Sequence, residues 1–277
     1  MEATLSARLK EVGLMPLGKL ESLKGGDMAA VYRLDTDQGA VIVKHDDQAR
    51  LSAEAEGLEA LREACDCLIV PRVLSSENGW LIMEALDSVG ASDTGWRTLG
   101  KGLRELHRPR QTAHGWPRDN YCGATPQRNA PLSDGRCFQQ ERRLLALADA
   151  CLERGLMKSD LHKRISTVAE GLKQWLPDIT PSLIHGDLWS GNLLFTSRGP
   201  ALIDPAVYHH YPEADLAMLT LFGSPPQIFF DVYWEGAWPK DWSRREVLFQ
   251  LYPLLNHLLL FGESYRAAVE NRVDSLL

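Results

Sequence analysis

"LIHGDLWSGNLLF", residues 183–195, places His185, Asp187 and Asn192 in one short polar loop between two apolar runs. A plain turn would join two strands with fewer demands, because Asp and Asn in turns ordinarily just satisfy nearby backbone donors. The residues downstream argue for more. Segments 193–195 and 201–203 read as short strands joined by "TSRGP", a hairpin in which 195 faces 201, 194 faces 202, 193 faces 203 and Asn192 faces Asp204. Directly opposed residues lie ~4.5–5.5 Å apart, so this register brings an amide oxygen and a carboxylate together at the hairpin mouth. Such oxygen ligands suit Mg²⁺, which takes one or two carboxylates and completes its shell with water and phosphate.

Asp187 precedes Asn192 by five residues. Kinase-type catalytic loops separate an acceptor Asp from a metal-binding Asn in this way, with a second metal-binding Asp further on. Asp204, in "LIDPA", fills that last place. The pattern therefore implies phosphoryl transfer: Asp187 aligns the acceptor hydroxyl and takes its proton, Asn192 and Asp204 hold the metal, and His185 braces the loop.

Such chemistry needs a cation for the nucleotide phosphates and a group to hold that cation. Lys44 ends the strand "AVIVK", and its partner can be chosen by angle. At ~100° per residue, Glu54 lies within the helical stripe of Leu51, Leu58, Leu61 and Cys65, whereas Glu56 and Glu59 face away from it. A carboxylate within an apolar face is costly to bury unless paired, so Glu54 is expected to hold Lys44. Upstream, Gly25 and Gly26 stand before a strand, where backbone N–H groups can approach a nucleotide closely. At the end of "LIMEAL", the backbones of Glu84 and Leu86 can offer the carbonyl and N–H that an adenine edge requires.

The rest of the chain frames these residues. Strand-rich segments flank "DTDQG" and turn again at Glu77-Asn78-Gly79, with one prominent helix over 50–64 between them. From about residue 92 the pattern is helical: Leu99, Leu103 and Leu106 share a face, as do Leu144, Leu145, Ala148, Cys151 and Leu152, with Gly155 closing that helix. Leu161, Ile165, Val168 and Leu172 mark another, and the last forty residues are helical too. The expected fold is α+β and bilobal. A small β-rich lobe with one key helix, residues 1–85, precedes a larger, mainly helical lobe, residues 86–277. Trp234, Trp238 and Trp242 read as packing for the second.

With 277 residues, 44% of them hydrophobic, the chain can bury a substantial core. Its formal charge of -7 argues against a nucleic-acid footprint, which needs a dense basic face. No stretch approaches the ~18 apolar residues of a membrane span, and "MEATLSARLKEVG" is not signal-like, so a cytoplasmic protein is expected. Five cysteines form no framework and read as reduced thiols. The Cys65–Cys67 pair lacks a second pair at zinc-like spacing and reads as buried structural thiols.

Several segments resemble the fructosamine kinase (ketosamine-3-kinase) family, within the aminoglycoside-phosphotransferase-like kinases: "HGDLWSGN" (185–192), "IDPAVYHHYPEADLAML" (203–219), "DNYCGATPQRN" (119–129), "EAEGLEAL" (54–61) and "QLYPLLNHLLLFGESY" (250–265). The resemblance covers nearly the whole chain. It implies a protein-kinase-like fold using ATP and Mg²⁺ to phosphorylate the 3-hydroxyl of a ketosamine, on a free or a protein-borne amine. It also implies that Asp215, in "EADLAM", braces the catalytic loop. The glycine loop departs from the family in reading Gly25-Gly26-Asp27-Met28, where a small hydroxyl residue usually follows the glycines. An acidic side chain beside phosphates is unfavourable unless it points away or aids the metal.

On the acceptor side, Trp189 reads either as a ring that stacks on a sugar or as an anchor for the loop. Asn256 and His257 interrupt an apolar helix, as pocket residues or as satisfied core groups. Two alternatives stay open: an aminoglycoside- or choline-type phosphotransferase, and a nucleotide-binding regulator of weak activity. A protein kinase is disfavoured, because no segment ending in Ala-Pro-Glu follows Asp204.

Overall fold

Alternating side chains in the first third of the chain build an antiparallel sheet between two helices. The computed structural model describes residues 2–23, 29–109 and 111–277; Gly25, Gly26 and Asp27 lie outside the described residues. The order is α1 (Glu2–Glu11), β1 (Glu21–Ser22), β2 (Ala30–Thr36), β3 (Gly39–His45), α2 (Gln48–Ala64), β4 (Val73–Glu77) and β5 (Trp80–Glu84), with the strands arranged β1-β2-β3-β5-β4. Asn78 and Gly79 turn β4 into β5 with φ of 55° and 77°, the doubly left-handed turn that matches strand twist.

Strand β5 is buried on both faces. Trp80 and Ile82 join Val41, Val43 and the α1 residues Leu5 and Leu9 in one core, while Leu81 and Met83 join Leu51, Leu58 and Leu61 of α2 in another. That second core continues into the helices that follow. Period-2 alternation therefore decides where Lys44 goes: Val43 faces α1, so Lys44, paired with Leu81, faces α2.

The rest is mainly helical: α3 (Asp93–Leu106), α4 (Gly135–Phe138), a π-helical stretch (Gln139–Leu145), α5 (Ala146–Glu153), α6 (Ser159–Glu170), α7 (Glu213–Leu221), α8 (Gln227–Tyr233), α9 (Trp242–Phe261) and α10 (Arg266–Leu276). Gly155, at φ 70°, follows the end of α5. Trp234 stacks on Phe230 and meets Trp238 and Trp242 at 4.6 and 5.1 Å, packing α8 against the start of α9. Three two-stranded ladders sit among the helices. They are β6 (Asn120–Cys122) with β7 (Thr125–Gln127), β8 (Ser182–Ile184) with β11 (Tyr208–His210), and β9 (Leu193–Thr196) with β10 (Gly199–Leu202).

The β9–β10 register differs by one residue from the expected pairing. Phe195 pairs with Pro200, Leu194 with Ala201 and Leu193 with Leu202. A two-residue turn replaces the longer one, tightened by the Thr196 hydroxyl, which accepts from Arg198 N–H and donates to the Gly199 carbonyl. Asn192 therefore stands opposite Ile203, whose N–H donates to the Asn192 carbonyl at 3.1 Å. A one-residue slip would send Asp204 to the opposite face. The backbone prevents this by entering the left-handed region at Asp204 (φ 56°), and both Asn192 and Asp204 line one cleft.

The hairpin also ties the sheet to the helices, because Ile69 exchanges hydrogen bonds with Pro200 and Leu202, and Val89 N–H donates to the Phe195 carbonyl. All five cysteines are free; Cys65 is buried, but Cys67 is exposed and is not the buried thiol expected. Among the described residues, no helix is long and apolar enough to cross a membrane.

Candidate active site

The loop between β8 and β9 is shaped from behind. Gly186 sits at φ 81°, and a Cβ there would lie 2.1 Å from the Ala206 carbonyl oxygen, so only glycine fits. The Gly186 N–H donates to one carboxylate oxygen of Asp215 at 2.8 Å, and the His185 N–H to the other at 2.7 Å. His107 Nε2–H adds a third donor at 3.1 Å, while its Nδ1 accepts from the Tyr233 hydroxyl. Burial would raise the Asp215 pKa, but the hydrogen bonds and charges from His107 and His185 outweigh it and hold the carboxyl below its ordinary value. His185 is fully buried. Its Nε2–H donates to the Ile203 carbonyl at 2.9 Å, and its Nδ1 accepts from the Asp187 N–H, linking the loop to the residue before Asp204.

Across the cleft, the ammonium of Lys44 donates to Glu54 at 2.7 Å and to Asp204 at 2.6 Å. Burial disfavours the charge on Lys44, but Asp204 and then Glu54 more than offset that and keep it charged. Burial pushes Glu54 above its ordinary value, to about 6, with Lys44 pulling the other way and Asp204 adding to the rise. Glu56, which faces away from the apolar stripe, accepts from the Trp116 indole.

Asp187 lies at the centre. Asn192 Nδ2 donates both to the Asp187 carbonyl and to its carboxylate, at 2.8 and 3.0 Å, which leaves the side-chain Oδ1 of Asn192 outside these bonds. Burial raises Asp187 to about 7; the Asn192 hydrogen bond lowers it, and the charges of Asp204 and Asp215 raise it further. These residues share a cleft of about 560 Å³. Trp189 lines it and is 37% exposed, its ring lying over Gly191, where a Cβ would meet it at 2.3 Å. It is therefore no buried anchor. His257 and Asn256 line the cleft as well, whereas Glu84 and Leu86 are not among its lining residues; the Glu84 carboxylate pairs with Arg198 at 2.7 Å.

The segment 119–129, whose role the sequence did not disclose, is a buried polar scaffold. Asn120 accepts from Gln127 and Asn129 and donates to the Val207 carbonyl, while Tyr252 donates to Gln127. The fully buried Arg143 donates to Asn129 at 2.7 Å and lies 4.0 Å above the Tyr208 ring. This network holds Tyr121–Gly123 at the edge of the cleft.

A five-stranded antiparallel sheet, a lysine–glutamate pair and an Asp–Asn–Asp set across a cleft define a protein-kinase-like fold. The sequence profile of the fructosamine kinase family matches residues 1–277, and the chain belongs to that family. A protein of Enterococcus faecium named as a ketoamine kinase is 34% identical over 270 residues, covering 93% of this chain and 95% of its own. A chloroplastic protein-ribulosamine 3-kinase of Arabidopsis thaliana is 33% identical, over 94% of this chain and 82% of its own. The crystal structure of a protein described as a fructosamine-3-kinase from Thermobifida fusca superposes with a TM-score of 0.92 at 30% identity, covering 99% of this chain and 98% of that one. An aminoglycoside phosphotransferase shares the fold at a TM-score of 0.69 and 14% identity.

Proposed function

We propose that the protein transfers the γ-phosphoryl group of ATP to the 3-hydroxyl of a fructosamine or ribulosamine. The observation that carries this reading is the meeting, in one cleft, of Lys44 held by Glu54 with Asp187, Asn192 and Asp204. The relatives named as ketoamine and ribulosamine kinases support the acceptor class.

Each residue then has a chemical task. Asp187, at about 7, matches the working pH of a general base: it accepts the proton of the attacking hydroxyl as the O–P bond forms. Lys44 takes the nucleotide phosphates while Glu54 fixes its position. Gly25 and Gly26 would cover those phosphates. His185 and Asp215 keep the loop in place.

The donor set fits a magnesium ion that arrives with the nucleotide. No group of three His, Cys, Asp or Glu side chains gathers at metal-binding spacing among the described residues, but Mg²⁺ needs only one or two protein oxygens. Asn192 and Asp204 would supply them. When bound, the ion would offset the negative charge of the phosphates.

Phosphorylation at that hydroxyl would prepare sugar adducts of free or protein-borne amines for breakdown, a repair role suited to the cytoplasm. Purified protein with ATP, Mg²⁺ and a panel of acceptors should release ADP with fructosyl- or ribulosyl-amines. Asp187→Asn should abolish release and retain nucleotide binding. Release with aminoglycosides alone would overturn the substrate class, and nucleotide binding without turnover of any hydroxyl would overturn the reaction.

A further inference from the structure

Five rings form one wall of the cleft. Trp189 meets Phe222 edge-on at 6.2 Å between centroids, and Phe222 meets His257 at 5.2 Å. His257 in turn lies 5.4 Å from Phe261 and 5.0 Å from Tyr265. All five line the cleft that contains Asp187. Phe222 and Phe261 are each 45% exposed, so core packing does not account for them. Open apolar rings gathered on one concave surface mark a place where something binds.

Charge says what that is. Among the described residues that line the cleft, the only Lys or Arg side chains are Lys44 and Arg50, both contributed by β3 and α2. Lys44 is held by Glu54 and Asp204, and Arg50 is paired with Asp46. His257 donates its Nδ1–H to the Pro253 carbonyl at 2.6 Å, and burial lowers its pKa, so the ring stays uncharged near neutral pH. The wall thus presents aromatic rings and no cation, in a cleft that also holds Glu54, Asp187 and Asp204. A ring face attracts a cation through its quadrupole, and here no neighbouring positive charge opposes one. Asn256, on the same helix as His257, also lines the cleft, and its buried Oδ1 has no hydrogen-bond partner.

We propose that the wall of Trp189, Phe222, His257, Phe261 and Tyr265 is a subsite for the ammonium group of the acceptor, with Phe222 and Phe261 setting the preference for a charged amine over a neutral substituent. The inference rests on the ketosamine reading above. In such an acceptor the secondary amine is attached at C1, two carbons from the reacting hydroxyl, and is largely protonated at neutral pH. An acceptor whose hydroxyl meets Asp187 must therefore place its ammonium close by, and Trp189 stands only two residues from that base.

The test compares 1-deoxy-1-(methylamino)fructose with its neutral isostere, 1-O-methylfructose, by kcat/KM at fixed Mg²⁺ and ATP. Wild type should favour the amine by about 30-fold, the size of a desolvated cation–π contact. Phe222→Leu and Phe261→Leu, which keep apolar volume without a ring, should bring the ratio towards one. Phe222→Tyr should retain it. Both phenylalanines are exposed enough that these changes leave folding intact, which a thermal melt checks. A wild-type ratio near one, or Leu variants that keep the full ratio, overturns the subsite while ADP release still upholds the kinase. Absence of ADP release with either compound and with every other ketosamine overturns the kinase reading and the subsite with it.

Discussion

Asp187→Asn removes a carboxylate that the fold holds against its own preference. The carboxyl rises from 3.8 to about 7, chiefly by burial. Each pKa unit corresponds to ~1.4 kcal/mol, which sets a ceiling of ~4 kcal/mol for the destabilisation that ionised Asp187 imposes. Asp187 is only partly buried at the cleft surface, and screening by solvent reduces that to ~2 kcal/mol. The sign follows from linkage. Because the folded value lies above the unfolded one, the native state keeps a proton that the unfolded chain has already released, and wild type loses stability as pH rises from ~4 to ~7. The asparagine does not titrate, and its Oδ1 can still accept from Asn192 Nδ2. Its advantage should therefore widen with pH through that window and level off above it. Urea unfolding of both proteins at pH 4 and pH 8 measures this, with the gap at pH 8 larger by ~1 kcal/mol or more. A gap that is equal at both pH values, or that narrows at pH 8, would refute the reasoning.

Lys44→Met should lower stability by ~2–3 kcal/mol, less than the 3–5 of a wholly buried pair because Asp204 is 42% exposed; thermal melts should show it, with a smaller loss at pH 5, where Glu54 takes up a proton. Asp215→Asn turns an amide N–H₂ towards donors that now meet oxygen, and should cost ~2–3 kcal/mol. Calorimetry should find this, with kcat falling more than KM changes, since the loop and not a substrate contact is displaced. The acid limb of kcat/KM should inflect near pH 7, falling tenfold per pH unit below it as Asp187 protonates; an inflection at or below pH 5 would remove Asp187 as the titrating base.

How much of this was legible in the sequence depended on how directly a residue's place follows from a period. Glu54 could be found because a helix repeats every 3.6 residues and only one nearby carboxylate fell within the apolar stripe. Lys44 followed from the end of a strand. The β9–β10 register did not follow, because it hinges on the Thr196 hydroxyl closing a two-residue turn; the expected Asn192–Asp204 pairing was off by one, although both residues line the same cleft. Strands β6 and β7 escaped because buried Asn120, Thr125 and Gln127 give no apolar alternation, and the side chains that satisfy them, Tyr252 and Arg143, lie far along the chain. Phe222 and Phe261 carried no signal in the sequence, since only the fold brings them to the lining of the cleft. His107, which donates to Asp215 from α3's C-terminal end, carried no local signal at all.

The electrostatics of the cleft show why Lys44 must be held by two carboxylates and not one. Glu54 and Asp187 lie where burial penalises negative charge, Asp204 lines the same cleft, and the ammonium of Lys44 pairs with Glu54 and Asp204. If Lys44 serves phosphate and Asp204 serves metal, the 2.6 Å contact between them must give way when the nucleotide enters. Glu54 makes that exchange possible, because it keeps the lysine charged and in position at 2.7 Å after Asp204 turns to the metal. With Glu54 absent, Lys44 would be held by Asp204 alone, the group that this exchange draws away. On that reading the buried glutamate on α2 would do what a surface carboxylate could not: hold one lysine in the cleft before nucleotide binds and leave it available to the phosphates afterwards.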